Sequence, residues 1–252
     1  MINENDIEIH MNPTITVILP CYNHARYVRA AVESVLRQTL TDIEVIAIDD
    51  ASTDGTAEVL DSIVDDRLVV IRHEHNMGSA QTINEGIKRA GAQYVAILNS
   101  DDVFHPTRLS ECMALMLERK CLLIGTDLEL IDTNGTVNLD RSFWWNEWYR
   151  SLREQLRMTG DLIGTLILGN IFISTSNFII DKTLFGSVGY LSDYRYVQDY
   201  EFLLRCLTIH PDRVYWLEKP LWQYRLHDKN TILEDQLIPA KQTVEVLAKW
   251  MP

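Results

Sequence analysis

Two apolar runs that each end in a pair of aspartates constrain this chain more than any other feature. Residues 94–98 (YVAIL) run into 99–102 (NSDD), and residues 43–48 (IEVIAI) run into Asp49-Asp50. Such runs are typical of parallel strands covered on both faces, and open α/β sheets bind ligands at the carboxyl ends of their strands. Adjacent acids at that edge either repel each other or share a hard cation. We therefore expect a metal-dependent site for an anionic substrate, with helix capping by the acids as the alternative.

The first half of the chain alternates strand and helix patterns. Apolar runs predict strands, and apolar stripes spaced by three and four residues predict helices. The predicted strands are Thr14–Leu19, Ile43–Ile48, Leu68–Arg72, Tyr94–Leu98 and Leu122–Thr126. The predicted helices are one with a stripe from Val28 to Leu36, then Gly55–Val64, Ser79–Ala90 and Pro106–Arg119. Three successive strand–helix units imply right-handed crossovers and an α/β fold with a doubly wound, mostly parallel sheet.

After about residue 140 the pattern is mixed. The long apolar stretch Leu162–Ile180 contains many polar residues, which favour a buried helix followed by a strand over a membrane span. Other predicted elements are a hairpin turn at Asn134-Gly135, helices at Gln198–Ile209 and Gln236–Trp250, and two short strands at Arg213–Leu217 and Leu221–Leu226. No Pro/Gly/Ser-rich linker separates the halves. We expect one continuous domain over 1–252, with a first half at about 12–127, a second at about 128–231 and a C-terminal helix within 232–252.

Composition restricts the partners. The net charge of −13 excludes nucleic acid as a partner, although it permits a small anion bound through a cation. The scattered cysteines form no C-x-x-C pair, so we expect buried free thiols in a reducing compartment. The acidic, polar start at 1–10 is not a signal peptide, and a cytoplasmic protein is expected. For the aromatic cluster Phe143–Tyr149 three interpretations stay open, namely core packing, acceptor contact, and peripheral contact with the inner face of the membrane.

A glycine-rich phosphate loop is missing after the first strand, where the sequence reads 20–23 (PCYN). A pyrophosphate then needs another neutralising group, and a divalent ion on Asp101 and Asp102 is the obvious candidate. Residues 50–55 match part of an EF-hand loop, but a strand precedes them. A turn that caps the next helix and leaves Asp50 free for a ligand is therefore favoured. His73 and His75 flank Glu74 in a segment that is typical of an exposed polar loop rather than a metal site.

Seven motifs in order resemble those of the family 2 glycosyltransferases, which have the GT-A fold. The motifs are Pro20–Asn23, Asp49–Thr56, Asn76–Gly78 with Asn84–Ile87, Asn99–Asp102, Asp181–Leu191, Gln198–Glu201 and Tyr224–His227. The resemblance covers roughly residues 14–231. It implies an inverting, metal-dependent enzyme that moves one sugar from a nucleoside-diphosphate sugar, most often a UDP-sugar, to a hydroxyl of a sugar, lipid-linked or protein acceptor in glycan or polysaccharide biosynthesis. The first half is then the nucleotide-sugar-binding half, and the second binds the acceptor.

The resemblance also implies roles for individual residues. Asp199 is the expected general base. The expected nucleotide-sugar-binding residues are Pro20, Tyr22, which stacks on the base, Asn23, Asp50, which accepts a hydrogen bond from the base, and Asp101. The expected ligands for Mn²⁺ or Mg²⁺ are Asp101, Asp102 and His227.

Three positions depart from the family pattern. Asn99 replaces the first aspartate of the D-x-D motif, Ile83 replaces an arginine that reaches towards phosphate, and Gln198 replaces a glutamate. The Q-x-x-R-W signature of processive synthases is missing, which implies transfer of a single sugar. Two other functions stay open. One is a catalytically silent, glycosyltransferase-like binding module, and the other is a nucleotidyltransferase, which the lack of a glycine-rich basic loop disfavours.

Overall fold

A single eight-stranded sheet covered by helices forms the part of the chain that the computed structural model describes, residues 13–138, 140, 143–228, 230 and 237–250. The strands are β1 Ile15–Cys21, β2 Ile43–Asp49, β3 Leu68–Arg72, β4 Tyr94–Ile97, β5 Val103–Phe104, β6 Leu123–Ile131, β7 Ile179–Asp181 and β8 Val214–Arg225. The helices are α1 Val28–Leu36, α2 Thr56–Asp61, α3 Ser79–Arg89, α4 Arg108–Arg119, α5 Trp144–Thr159, α6 Leu162–Leu168, α7 Leu184–Val188, α8 Gln198–Ile209 and α9 Leu237–Trp250. Residues 1–12, 231–236 and 251–252 lie outside the described residues. The predicted limits of the domain and of its halves that fall there, and the predicted start of the last helix at Gln236, therefore stay predictions.

The strand order β3-β2-β1-β4-β7-β6-β8-β5 places the ends of β1 and β4 at a topological switch point. Strands β3, β2, β1 and β4 are parallel, as expected from their nearly continuous apolar sequences. The chain winds outwards from β1 to β3 and then returns to the other side of β1 with β4. In open α/β sheets, such a reversal leaves a crevice at the carboxyl ends of the two strands. The NSDD segment follows β4 into this crevice.

The second half of the sheet is mixed. Strand β7 is antiparallel to both β4 and β6, whereas β6 and β8 are parallel. The predicted α/β class, the four parallel strands and the helix-then-strand interpretation of Leu162–Ile180 are confirmed. The Asn134-Gly135 turn is also confirmed, since Gly135 has a φ of 85° and an antiparallel bridge joins Ile131 to Val137.

The prediction of two short strands at Arg213–Leu217 and Leu221–Leu226 is wrong, because β8 is continuous through Pro220. Proline normally interrupts a strand because it cannot donate a hydrogen bond to the neighbouring strand. Here the register shifts on both sides of Asp127, the residue of β6 that faces Pro220. Such irregularities open the hydrogen-bond ladder locally and allow the strand to continue. Strand β6 also continues past the irregularity at Asp127, as far as Ile131, and is therefore longer than the predicted Leu122–Thr126.

Helix packing assigns part of the aromatic cluster to the core. Trp145 and Tyr149 are buried on α5, while Trp144 is 55% exposed.

All four cysteines are buried and free, as expected. Within the described part of the chain, no helix combines the length and the apolar character that crossing a membrane requires.

Close packing of α3 on β1 generates a stability prediction. A Cβ atom on Gly86 would lie 2.5 Å from Cγ2 of the fully buried Ile18. We expect Gly86→Ala to lower the free energy of unfolding by about 1–3 kcal/mol through overpacking, measured by urea denaturation. Gly186 on α7 is the matched control, because a Cβ there meets no atom within 4 Å. Gly186→Ala should leave stability unchanged or raise it by about 0.4–1 kcal/mol; equal losses in both variants would contradict the packing argument.

Candidate active site

The loop after β1 forms one wall of the crevice. Asn23 has a left-handed backbone conformation with a φ of 54°, which asparagine tolerates better than most residues. Its side chain accepts a hydrogen bond from the Thr53 backbone N–H at 2.8 Å, and its own N–H donates to Ser52 Oγ at 2.9 Å. Asn23 therefore joins the loops that follow β1 and β2. Pro20 is half-buried, and Tyr22 leaves 47% of its surface exposed, available to a flat ligand.

Asp50 anchors the loop that leads into α3. Its carboxylate accepts hydrogen bonds from the backbone N–H groups of Met77 at 2.8 Å and Gly78 at 2.9 Å, and it contacts Nδ1 of His73 at 2.7 Å. The side chain is buried and engaged by the protein, whereas the sequence suggested that it was free for a ligand. Gly78 has a φ of 85°, a conformation that favours glycine.

His73 is not part of an exposed loop, contrary to the sequence prediction. Its side chain is 10% exposed and bridges Asp50 and Glu85, with Nε2 at 3.0 Å from the glutamate. Burial opposes the charged form, but the hydrogen bonds with both carboxylates raise the pKa of His73. The neighbouring His75 is exposed, as predicted.

A candidate cation cluster lies where the NSDD segment meets the end of β8. His24, Asp101 and His227 each offer one ligand atom, and these atoms lie within 4.8 Å of one another. Asp101 Oδ2 is 3.0 Å from His227 Nε2, and His24 Nδ1 is 2.8 Å from Ser100 Oγ. Burial would raise the pKa of Asp101, but the hydrogen bond with His227 and the two nearby imidazoles hold it below its usual value. One ionised carboxylate and two imidazoles are a donor set that fits a divalent metal ion.

Asp102 is not part of this cluster. Its carboxylate accepts hydrogen bonds from Ser176 Oγ at 2.6 Å and from the Arg225 backbone N–H at 2.9 Å. Burial and then the negative charge of Asp101 raise the pKa of Asp102 well above its usual value. Both oxygen atoms are occupied by the protein, so the side chain fixes the turn that carries Asp101.

Asp199 lies in the first turn of α8. It is 8% exposed, and its Oδ2 accepts a hydrogen bond from Asn170 Nδ2 at 2.8 Å. Burial is the main cause that raises its pKa to about 6, although the bonds from its surroundings oppose the shift. The adjacent Gln198 donates to Ser79 Oγ at 2.8 Å, which joins the start of α8 to the start of α3.

Tyr224 connects the two acidic sites electrostatically. Burial and then the carboxylates of Asp102, Asp101 and Asp199 raise its pKa well above the usual value. Its ring stacks on Trp145 with 6.0 Å between centroids. The phenol of Tyr224 therefore lies within the electrostatic reach of both Asp199 and the aspartate of the cation cluster.

The sequence located most of the acids but missed their supports. The residues that it did not assign are His24, Ser100, Asn170, Ser176 and Arg225. Ser100 and Arg225 fall within the motifs at 99–102 and 224–227, which is a signal that could have found them. No spacing along the chain marks the other three, because they come from separate segments that folding brings together. Ile83, one of the three positions expected to depart from the family pattern, is fully buried and takes part in the core.

Comparison with known proteins finds similarity to glycosyltransferases, both in the family model and in individual relatives. The model of glycosyl transferase family 2 matches residues 16–177. Glycosyltransferase GlyG of Streptococcus pneumoniae serotype 4 is 28% identical over 247 residues, covering 95% of this chain and 80% of GlyG. TuaG of Bacillus subtilis, a glycosyltransferase assigned to teichuronic acid biosynthesis, is 38% identical over 126 residues, covering 49% of this chain and 50% of TuaG. The chain thus spans half the length of that relative.

Solved structures confirm the expected GT-A fold. TarS residues 1–349 of S. aureus, in complex with UDP-GlcNAc, superimposes with a TM-score of 0.67 at 18% identity, over 93% of this chain and 66% of that one. The mannosyltransferase PcManGT of Pyrobaculum calidifontis, in complex with GDP-Man and Mn²⁺, gives a TM-score of 0.67 at 14% identity, over 95% and 64%.

The raised pKa of Asp199 predicts a pH-dependent cost in stability. A carboxyl whose pKa moves from 3.8 unfolded to about 6 folded does not affect folding below pH 3.8, and it progressively destabilises the fold as the pH rises to about 6. The full loss above that pH is on the order of 3 kcal/mol. We therefore expect the free energy of unfolding of Asp199→Asn, relative to the original protein, to increase between pH 4 and 7 in urea titrations. A difference independent of pH would contradict the shift.

Proposed function

Because the chain belongs to glycosyl transferase family 2, we propose that it is an inverting, metal-dependent glycosyltransferase of glycan or polysaccharide biosynthesis. It transfers one sugar from a nucleoside-diphosphate sugar, first of all a UDP-sugar, to a hydroxyl acceptor. The observation that carries this proposal is Asp199, a buried carboxylate with a pKa of about 6 that is held by Asn170 and that acts electrostatically on Tyr224 together with Asp101 of the cation cluster. GlyG and TuaG, which are named glycosyltransferases, support the reaction class.

Donor binding uses the crevice between β1 and β4. Tyr22 is the exposed ring on which the nucleobase stacks, and the anchored loop at Asp50 and Gly78 borders the base. Asp101 and His227 would hold Mn²⁺ or Mg²⁺. When bound, the cation supplies charge neutralisation for the diphosphate as it departs. Asp102, which lies outside the cluster and accepts hydrogen bonds from Ser176 and Arg225, supports Asp101 instead of serving as a ligand.

Asp199 acts on the acceptor. Its ionised form removes the proton from the acceptor hydroxyl, over a heavy-atom distance of about 3 Å, as that oxygen attacks the anomeric carbon. Attack from the face opposite the diphosphate inverts the anomeric centre in a single displacement. The bond from Asn170 fixes one carboxylate oxygen, so the other is oriented for the hydroxyl. A pKa of about 6 keeps this group ionised at neutral pH yet basic enough to accept a proton.

Substitution of the base separates catalysis from donor binding. We expect Asp199→Asn to lower kcat by about 10²–10⁴-fold. The measurement is release of UDP from UDP-GlcNAc with a panel of simple glycoside acceptors, and the affinity for UDP should be retained. Undiminished transfer by this variant would remove Asp199 from the mechanism. Absence of turnover in the original protein with every donor, while nucleotides still bind, would favour the silent binding module.

The pH profile reports the same group. Since Asp199 must be ionised, we expect the logarithm of kcat/KM to fall with a slope of one as the pH drops below about 6. Replacement of Asn170 by alanine removes a bond that lowers the pKa, so the inflection should move to higher pH in that variant. An inflection that stays in place would show that another group controls the rate.

Nucleotide binding tests the donor site without an acceptor. We expect calorimetry with UDP, GDP and dTDP to show preferential binding of one nucleotide that weakens sharply when Mn²⁺ is omitted. Stacking contributes about 1–3 kcal/mol per base, so Tyr22→Ala should weaken binding roughly 5- to 150-fold. Tyr22→Phe is the control and should bind like the original protein. No binding of any nucleotide by the folded protein would contradict the donor site.

A further inference from the structure

We propose that His24 is a third protein ligand of the divalent cation, so that the protein binds this cation before and without the nucleotide. The inference rests on the proposed function in treating Asp101 and His227 as the core of a cation site. It goes further in assigning a residue of the loop after β1 to the ligand set. It also predicts which ions the site prefers.

The position of His24 is fixed by the protein at both its backbone and its ring. The backbone N–H donates to Thr56 Oγ1 at 2.9 Å. Ring Nδ1 contacts Ser100 Oγ at 2.8 Å, and we assign Nε2 as the nitrogen that would bind the ion. Imidazoles that ligate metals commonly have the second ring nitrogen held in this way, because the bond sets the tautomer and the orientation of the ring. Ser100 is the middle residue of the D-x-D-like segment and directly precedes Asp101, so its contact with His24 joins two members of the cluster.

The second imidazole is equally well oriented. His227 and His24 meet edge to face, with 5.7 Å between ring centroids and an angle of 84°. The ring of Tyr27 also stacks on His227, with 5.2 Å between ring centroids and an interplanar angle of 27°. Tyr27 in turn lies against the guanidinium of the buried Arg225 at 4.9 Å. The two rings are therefore arranged around Asp101 by contacts that do not involve a nucleotide.

The spacing and chemistry of the three atoms fit one ion. Bonds of about 2.1 Å place two ligand atoms of the same ion roughly 3–4 Å apart. The cluster already lies within 4.8 Å, so only a small movement is needed to close it. Imidazole suits first-row transition ions, whereas Mg²⁺ prefers oxygen ligands and retains its water. A set of two imidazoles and one carboxylate should therefore bind Mn²⁺ or Co²⁺ in preference to Mg²⁺.

The first experiment measures Mn²⁺ binding to the nucleotide-free protein by the decrease of the free-ion EPR signal. We expect saturable binding of one ion, at least tenfold weaker binding by His24→Ala, and competition by Co²⁺ at far lower concentration than by Mg²⁺. His105→Ala is the matched control, since His105 is exposed and contacts Thr107 outside the cluster. Circular dichroism without metal establishes that each variant is folded. Unchanged affinity in His24→Ala would overturn the proposal.

A second measurement counts the ligands directly and does not depend on a change in affinity. Pulsed EPR of bound Mn²⁺ in protein with ¹⁵N-labelled histidine counts the coordinated imidazoles, and we expect two in the original protein and one in His24→Ala. A count of one in the original protein would overturn the proposal. Binding of Mn²⁺ only in the presence of UDP would also overturn it, while leaving the proposed transferase intact. Mn²⁺ binding without any nucleotide binding would instead contradict the proposed function and leave the cation site standing.

Discussion

The contacts of Arg225 hold the catalytic edge of the sheet in place. Its backbone N–H donates to Asp102 and its Nε donates to the carbonyl oxygen of Asp101 at 2.7 Å, so the end of β8 fixes the turn after β4. The same guanidinium donates to the carbonyl of Asp132 at 2.8 Å and covers the face of Tyr27. A buried cation without such bonds would be costly, and here the contacts with Asp101, Asp102 and Tyr27 link the two halves of the fold. The halves are thus one unit at the site, although in the proposed function the first binds the donor and the second supplies the base.

The predictable part of the fold is the part governed by local pattern. Strands β1 to β4 are nearly uniform apolar runs, and β3 and α8 begin and end at the predicted residues. Strand β8 was predicted as two pieces because Pro220 is a strong local signal, whereas the compensating irregularity lies in β6, some ninety residues earlier. A contact between distant segments cannot be deduced from the periodicity of either one. The same limitation explains why the antiparallel insertion of β7 between β4 and β6 was not foreseen.

The site shows a similar division between what sequence reveals and what folding adds. Asp101 and Asp199 were identified from motif position, but the motif did not distinguish Asp101 from its neighbour Asp102. The Asp102 N–H donates to the Asn99 carbonyl oxygen at 3.1 Å, so the chain turns at this point, and Asp101 joins the cluster while Asp102 accepts a hydrogen bond from Ser176. The motif therefore indicated both aspartates, and their different contacts became apparent only from the geometry.

Overall charge explains why the site is built around histidines and a buried arginine. With 36 acidic and 23 basic residues the protein repels anions at long range, yet the proposed donor carries a diphosphate. The diphosphate must then be attracted by groups close to it, and no glycine-rich loop after β1 supplies backbone N–H groups for this purpose. Arg225 lies beside Asp101, where burial reduces screening by water, and the imidazoles of His24 and His227 offer ligand atoms for a cation that would add positive charge there. A single carboxylate in this setting retains a cation without cancelling its charge, whereas a second aspartate ligand would leave less positive charge for the diphosphate. Engagement of Asp102 by Ser176 and Arg225 keeps that second carboxylate away, so the geometry of the turn and the charge of the substrate favour the same arrangement.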